Sequence, residues 1–300
     1  MWFRILKGEE EMKELQVSVP ENKEALKAAL AEADGKYLMF AGGTDLLVEF
    51  SKKLCGCQKI IDLSGVRELI YIDEKEDRLE IGAGTTFTRL SESPAVQKHA
   101  CCLAQAAGLI GSPQIRNRAT IGGNVANCSP AADSIPALLA LDASMKLVFS
   151  NGEEKVLTLQ EFLAQEAGWL TREKAFIEGF IIPKKGDASR SGFIRIGSRR
   201  TVAISKLSLA IAIDIDEMER IIGARISLGA VGRTPYRSKS AEGLMKGRSF
   251  AEESRQILAV ELGTLLSHEI ADRLAGRAST PYKKQAVIGL VQDLLIEKGL

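Results

Sequence analysis

Two glycine pairs with polar neighbours are where this sequence gathers groups able to bind a ligand: Ala41-Gly42-Gly43-Thr44-Asp45 and Thr120-Ile121-Gly122-Gly123-Asn124. Glycine lets a ligand approach the main chain without meeting a Cβ. Successive amides in such a turn can converge on an anion, helped by the N-terminus of a following helix. Thr44, Asp45, Thr120 and Asn124 add side-chain donors and acceptors. Taken singly, a Gly-Gly of this kind is also a good tight turn or helix cap. Two of them, about 80 residues apart, suggest a pyrophosphate held from two sides. Ser129 and Asp133 follow the second loop closely. Asp133 can accept hydrogen bonds from sugar hydroxyls, or cap a helix that begins at Ser134. Arg116 and Arg118 flank the loop, either as solvated surface residues or as balance for phosphate charge.

Rival chemistries are thinly represented. No G-x-G-x-x-G and no G-x-x-x-x-G-K-[ST] occurs, which disfavours the common dinucleotide and P-loop sites. There are only two histidines. His268-Glu269 lacks the second histidine of a zinc protease helix, and His99 reads as a helix-surface residue. No G-x-S-x-G elbow is present. The five cysteines, Cys55, Cys57, Cys101, Cys102 and Cys128, form neither paired C-x-x-C arms nor a disulfide framework. Catalytic and metal-ligating residues are therefore expected to be none. A chain that binds a large group but lacks an acid, base or nucleophile leaves the chemistry to a cofactor.

The elements that must position these loops read as α+β. Leu15 to Val19, Tyr37 to Ala41 and Lys59 to Leu63 are strand-like, with a helix over Glu21 to Glu32, giving a small β-α-β unit. A further helix is expected from Asp45 to Lys53. Leu69 to Ile72 and Leu79 to Gly82 read as a hairpin around the charged turn Asp73 to Arg78. Ala95 to Ala107 reads as one helix ended by Gly108, and Ile110 to Cys128 as a long functional loop. Ser134 to Leu141 is a short helix and Met145 to Phe149 a strand. The polar stretch between Pro183 and Ser191 marks a boundary. Beyond it come strands Gly192 to Gly197, Lys206 to Ile215 and Arg220 to Val231. Helices follow near Ser238 to Lys246, Phe250 to Leu266 and Pro281 to Glu297, the last capped by Thr280.

Composition agrees with an ordinary soluble chain of 300 residues and net charge +1, which gives no basic excess for nucleic acid or a membrane surface. No apolar run reaches the roughly 18 residues of a membrane span. The acidic N-terminus does not resemble a secretory signal, and a cytoplasmic location is expected.

The loops also carry a family resemblance. Ala41-Gly-Gly-Thr-Asp-Leu46, Gln114-Ile-Arg-Asn-Arg-Ala-Thr-Ile-Gly-Gly-Asn-Val-Ala126 and Ser129-Pro-Ala-Ala-Asp-Ser134 resemble the FAD-binding signatures of the medium subunit of molybdenum hydroxylases of the xanthine and carbon monoxide dehydrogenase type. Ile61-Asp-Leu-Ser64, Leu79 to Thr86, Ala203-Ile-Ser205, Arg225 to Val231, Pro235-Tyr-Arg237, Ala241-Glu242 and Ser279 to Lys284 extend the likeness over nearly the whole chain. The resemblance implies an FAD domain of the vanillyl-alcohol oxidase type over 1–185, with subdomains of about 1–58 and 59–185. It implies a C-terminal domain over 190–300, with a three-stranded antiparallel sheet and a helical bundle. It implies a small partner with two [2Fe–2S] clusters, a large molybdopterin partner, and NAD⁺ or another carrier as acceptor. Carried over by position, Ala41, Gly42, Gly43, Thr44 and Asp45 would meet the pyrophosphate from one side. Thr120, Ile121, Gly122, Gly123 and Asn124 would lie on its other side, and Ser129 and Asp133 near the adenosine ribose. The chain departs from many relatives at Arg195, where they carry lysine. Two alternatives stand beside this reading: a self-sufficient oxidase or dehydrogenase of the same FAD fold, and a scaffold that has lost its cofactor.

Overall fold

The computed structural model describes residues 2–3, 15–34, 36–48, 57–186, 188–199 and 202–300. Three sheets carry the architecture. The first orders its strands β1 (Trp2–Phe3), β2 (Leu15–Ser18), β4 (Lys59–Asp62), β3 (Tyr37–Phe40), with β4 parallel to both β2 and β3. The Lys23–Ala31 helix carries the chain from β2 to β3, which run in the same direction on either side of β4. Asn22 caps that helix by accepting from the Ala25 amide. Leu26, Ala29 and Leu30 face inward with Tyr37 and Ile61. Of the helix expected over Asp45 to Lys53, residues 44–48 form a turn, and 49–53 lie outside the described residues.

The middle sheet is five-stranded and antiparallel, in the order β5 (Ile72–Glu74), β6 (Arg78–Gly82), β9 (Ala175–Pro183), β7 (Ser144–Phe149), β8 (Glu154–Thr158). One face buries Ile81, Met145 and Phe180 under helices bearing Phe87, Leu90, Leu103 and Leu138. Val148 and Phe176, on the other face, receive the first sheet and its Lys23–Ala31 helix, together the first lobe. The expected hairpin is present, but its strands extend into the charged segment from both sides, while Leu69 belongs to a 3₁₀ turn over Arg67–Leu69. The helix expected over Ala95 to Ala107 is two, Pro94–His99 and Cys101–Leu109, broken at Ala100, and Gly108 lies inside the second. Ser93 caps the first, with Pro94 in its opening turn.

The third sheet runs β10 (Arg190–Gly197), β11 (Ser205–Ile215), β12 (Ile221–Gly229), β13 (Tyr236–Arg237), antiparallel throughout. It therefore has four strands where three are expected, since Tyr236–Arg237 returns to pair with Leu228 and Ser227. Period-two alternation gives β11 two buried faces. Leu207, Leu209, Ile211 and Ile213 pack under the helices Glu252–Arg273 and Thr280–Gln292. Ala210 and Ala212 point the other way, with Phe193, into the middle core. Thr280 does not cap the last helix: its hydroxyl donates to the Leu274 carbonyl at 2.6 Å, and Ser279 holds the cap position without a side-chain bond.

Candidate functional site

The first glycine pair leaves the end of β3. Gly43 has φ +74, and a Cβ there would overlap the Phe40 ring. A Cβ on Gly42 would run into the Arg118 carbonyl and lie 2.9 Å from the Ala119 Cα. The first loop is thus pressed against the turn that leads into the second. An i→i+4 bond, Leu47 N–H to Gly43 C=O at 3.0 Å, closes one helical turn. The opening amides of such a turn have no intrahelical acceptor. Among the described residues, the amides of Gly42, Gly43, Thr44, Asp45 and Leu46 have no acceptor at all.

The second pair is not in a loop. Ile121–Asn127 is an α-helix, and Pro113–Arg116 a helical turn, within the stretch expected to be irregular. Adjacent glycines weaken a helix by about 1 kcal/mol each, which hid it in the sequence. Tertiary packing overrides that cost, because a Cβ on Gly122 would sit 2.6 Å from the Ala83 Cβ. The helix N-terminus is fully engaged within the chain. Ile121 N–H donates to Thr85 at 3.0 Å, Gly122 N–H to Ala83 at 2.9 Å, and Gly123 N–H to the Thr120 hydroxyl at 3.1 Å. Cys128, at φ +48, ends it.

The structure brings the two pairs together. The Cβ position of Gly123 lies 3.7 Å from the Ala41 Cβ, and Asn127 donates to the Asp45 carboxylate at 2.9 Å. Asp45 itself is exposed. The free donors belong to the first turn, while the second helix supplies a side-chain-free wall at Gly123. That donor set, with Gly42 and Gly43 bare of side chains, fits an anionic group such as a pyrophosphate.

The segment after the helix is tied in from both sides. Ser134 donates to Asn124 Oδ1 at 2.6 Å. Ser129 is half-buried, and its hydroxyl accepts from the Ala131 amide at 3.4 Å. Asp133 occupies the cap position of the Ser134–Ala140 helix but makes no capping bond, which corrects that reading. Its carboxylate turns to the C-terminal sheet instead: Oδ2 accepts from Ser205 Oγ at 2.9 Å and from Arg195 at 3.2 Å. Burial pushes the Asp133 carboxyl above its ordinary range, against the opposing Ser205 hydrogen bond and Arg195 charge. Sequence reasoning marked Arg195 as a departure from relatives but could not give its partner, which is 62 residues away. Arg116 is spent on the Ile110 and Gly111 carbonyls, and Arg118 is exposed.

Among the described residues no group of three or more His, Cys, Asp or Glu could hold a metal ion, and no helix is long and apolar enough to cross a membrane. Burial raises the Cys128 thiol, as it does Cys101.

Comparison with known proteins shows the family of the chain. Residues 13–185 match the family described as the FAD binding domain in molybdopterin dehydrogenase, and residues 193–297 match the CO dehydrogenase flavoprotein C-terminal domain. The chain is 32% identical to the nicotinate dehydrogenase FAD-subunit of Eubacterium barkeri, over 95% of this chain and 96% of that one. It is 28% identical to the xanthine dehydrogenase FAD-binding subunit of Escherichia coli O157:H7, over 85% of each. Among solved structures, carbon monoxide dehydrogenase from Hydrogenophaga pseudoflava superposes with a TM-score of 0.80 at 24% identity, covering 93% of this chain and 94% of that one. Quinoline 2-oxidoreductase from Pseudomonas putida 86 superposes with a TM-score of 0.78 at 22% identity, covering 94% and 95%.

Proposed function

Because this chain belongs to the family of FAD-binding subunits of molybdopterin dehydrogenases, we propose that it relays electrons within a three-part molybdenum hydroxylase. It is an FAD-dependent oxidoreductase subunit. In this reading a large molybdopterin subunit hydroxylates the substrate, and a small subunit with two [2Fe–2S] clusters delivers the electrons. FAD, when bound, would supply a two-electron store between single-electron clusters and NAD⁺ or another acceptor. The complex works in the cytoplasm.

The chain's own part is to bind and orient. The amides of Gly42 to Leu46 donate to the pyrophosphate, and Gly123 lets it approach from the other side. Thr120 holds the helix start rigid, Asn124 braces Ser134, and Ser129 meets the adenosine ribose. The FAD domain spans 1–185 as two vanillyl-alcohol-oxidase-type subdomains, about 1–58 and 59–185, and the C-terminal domain spans 190–300. The observation that supports this best is the set of amides from Gly42 to Leu46 that have no acceptor among the described residues, in a turn whose first residue, Ala41, lies beside the bare Gly123.

Denaturing the purified yellow chain should release FAD and not FMN. A chain that stays colourless after reconstitution with FAD defeats the cofactor assignment. Gly123→Val should abolish flavin retention while the far-ultraviolet circular dichroism stays native; unchanged flavin content would remove the pyrophosphate from this place.

A further inference from the structure

We propose that the turn between β12 and β13, Val231 to Thr234, is an oxyanion site that takes a phosphate group, with Arg233, Arg273, Arg277 and Lys283 as its cations. The site lies in the C-terminal half of the chain and does not rest on the reading of the glycine pairs.

The turn offers donors without acceptors. The amides of Val231, Gly232, Arg233 and Thr234 have none among the described residues. The chain is anchored just before them. The Ala230 amide donates to the Pro130 carbonyl at 2.7 Å, and Lys283 donates to the Ala230 carbonyl. Arg273, the last residue of the Glu252–Arg273 helix, lays its guanidinium 3.6 Å from the centre of the Tyr236 ring. Its Nε donates to the Val231 carbonyl at 3.3 Å, which fixes it beside the turn. Its two Nη groups have no partner among the described residues, and one is 3.6 Å from the place of a Cβ on Gly232. Arg233 and Arg277 are exposed. Main-chain donors beside anchored cations are what an oxyanion receptor needs.

Lys283 is placed where a cation is disfavoured. It lies in the opening turn of the Thr280–Gln292 helix, at the positive end of the helix dipole. Burial pushes its ammonium below the ordinary range, and the charge of Arg277 adds to that. The nearby carboxylates do not relieve it. Glu269 is spent on the hydroxyls of Tyr236, Ser238 and Ser240. Asp272 is exposed and pairs with none of the four cations. A bound anion offsets all three penalties at Lys283. A carboxylate has only two oxygens for these donors, whereas a phosphate brings at least three and up to two charges.

The test uses the full-length chain loaded with FAD, so that the flavin site is filled, and inorganic phosphate as the probe. Calorimetric titration at low ionic strength should show one saturable site, with Kd on the order of millimolar. The backbone amide resonances of Val231 to Thr234 should shift with the same midpoint. Arg233→Gln and Arg277→Gln alter exposed side chains and should fold; each should weaken phosphate about three- to tenfold. Lys283→Met should weaken it by roughly tenfold or more. Flavin content should stay that of the unaltered chain in all three. Chloride at equal ionic strength should not displace the phosphate. Adenosine diphosphate as a second probe separates the sources. Tighter binding than inorganic phosphate, with the same amides shifted, assigns the phosphate of a nucleotide, and equal or weaker binding assigns a free one; either supports the site. Absence of saturable binding overturns the proposal. So does binding that leaves these amides unmoved, or that survives Arg277→Gln and Lys283→Met unchanged. If the chain takes up no FAD, the cofactor reading falls, and this proposal is still decided by the same amides in the unloaded chain.

Discussion

At Gly42 the space available is less than one methyl group, because the Arg118 carbonyl and the Ala119 Cα occupy the place of a Cβ. Gly42→Ala should therefore push the first turn off the entry to the second helix. We expect a cost of about 1–3 kcal/mol in stability, in the range of overpacking a tight contact. FAD affinity should fall tenfold or more, and equilibrium dialysis against FAD reads that directly. Retained affinity would mean that the two pairs can separate without consequence. A milder outcome is expected at Asn127→Ala. Its bond to Asp45 is exposed, so the change should cost about 1 kcal/mol or less. At Cys102, burial pushes the thiol up to about 12, and its side chain has no access to solvent. Ellman's reagent at pH 7.5 should leave it unmodified in the native chain and react with it only in denaturant. Residue by residue, the glycines were legible in the sequence because few other residues serve such positions. The ties made by Arg195 and Asp133 were not, because they join segments that have no pattern in common.

At the scale of elements, β9 holds the first lobe and the middle sheet together. Glu178, in that strand, is 5% exposed and receives Lys23 from the first lobe's helix at 2.6 Å and Lys146 from β7 at 2.8 Å. Burial raises its carboxyl, but the hydrogen bonds and charges of Lys146 and Lys23 outweigh that and hold it below the ordinary value. A carboxylate depressed in the folded state stabilises above its unfolded pKa, about 4.3, and that share is lost as pH falls through the folded value. Acidification below about pH 4 should loosen the first lobe before the rest. Hydrogen exchange over residues 23–31 at pH 3.5 and pH 7 measures this. Glu178→Gln should cost about 1–3 kcal/mol at pH 7 and flatten the acid dependence. An unchanged acid profile in that variant would show that other carboxylates govern the lobe. Strands such as Tyr37–Phe40 and Ser144–Phe149 stood out in the sequence through their compact apolar runs. The Ile121–Asn127 helix did not, since its glycines answer to Ala83, which is distant in sequence. The break at Ala100 was hidden for the opposite reason, in a stretch with no glycine or proline to mark it.

At the scale of the whole molecule, the C-terminal sheet shares the middle core. Phe193 is fully buried there with Ala210 and Ala212, and Ser227 donates to the Pro136 carbonyl. The Arg225 fork to Asp214 at 2.7 and 2.9 Å braces the same sheet, and its third donor reaches the Ala140 carbonyl. Heat should then unfold the chain in one calorimetric transition. Phe193→Ala should destabilise it by about 3–5 kcal/mol without splitting the peak. Two resolved transitions in the unaltered chain would refute that coupling. The strand order adds something about how the chain is made. In the middle sheet, β9 lies between β6 and β7, yet it is the last of the five strands to leave the ribosome. Ala83, on which the second glycine helix rests, donates its amide to Glu178 in that strand. At roughly 5–20 residues per second, Ser205 emerges on the order of ten to thirty seconds after Asp45. Through much of that interval the second glycine helix rests on Ala83 before β9, to which Ala83 is bonded, has been made. Chains stalled before Ala175 should be colourless and open to protease, so loading with flavin belongs to the finished polypeptide.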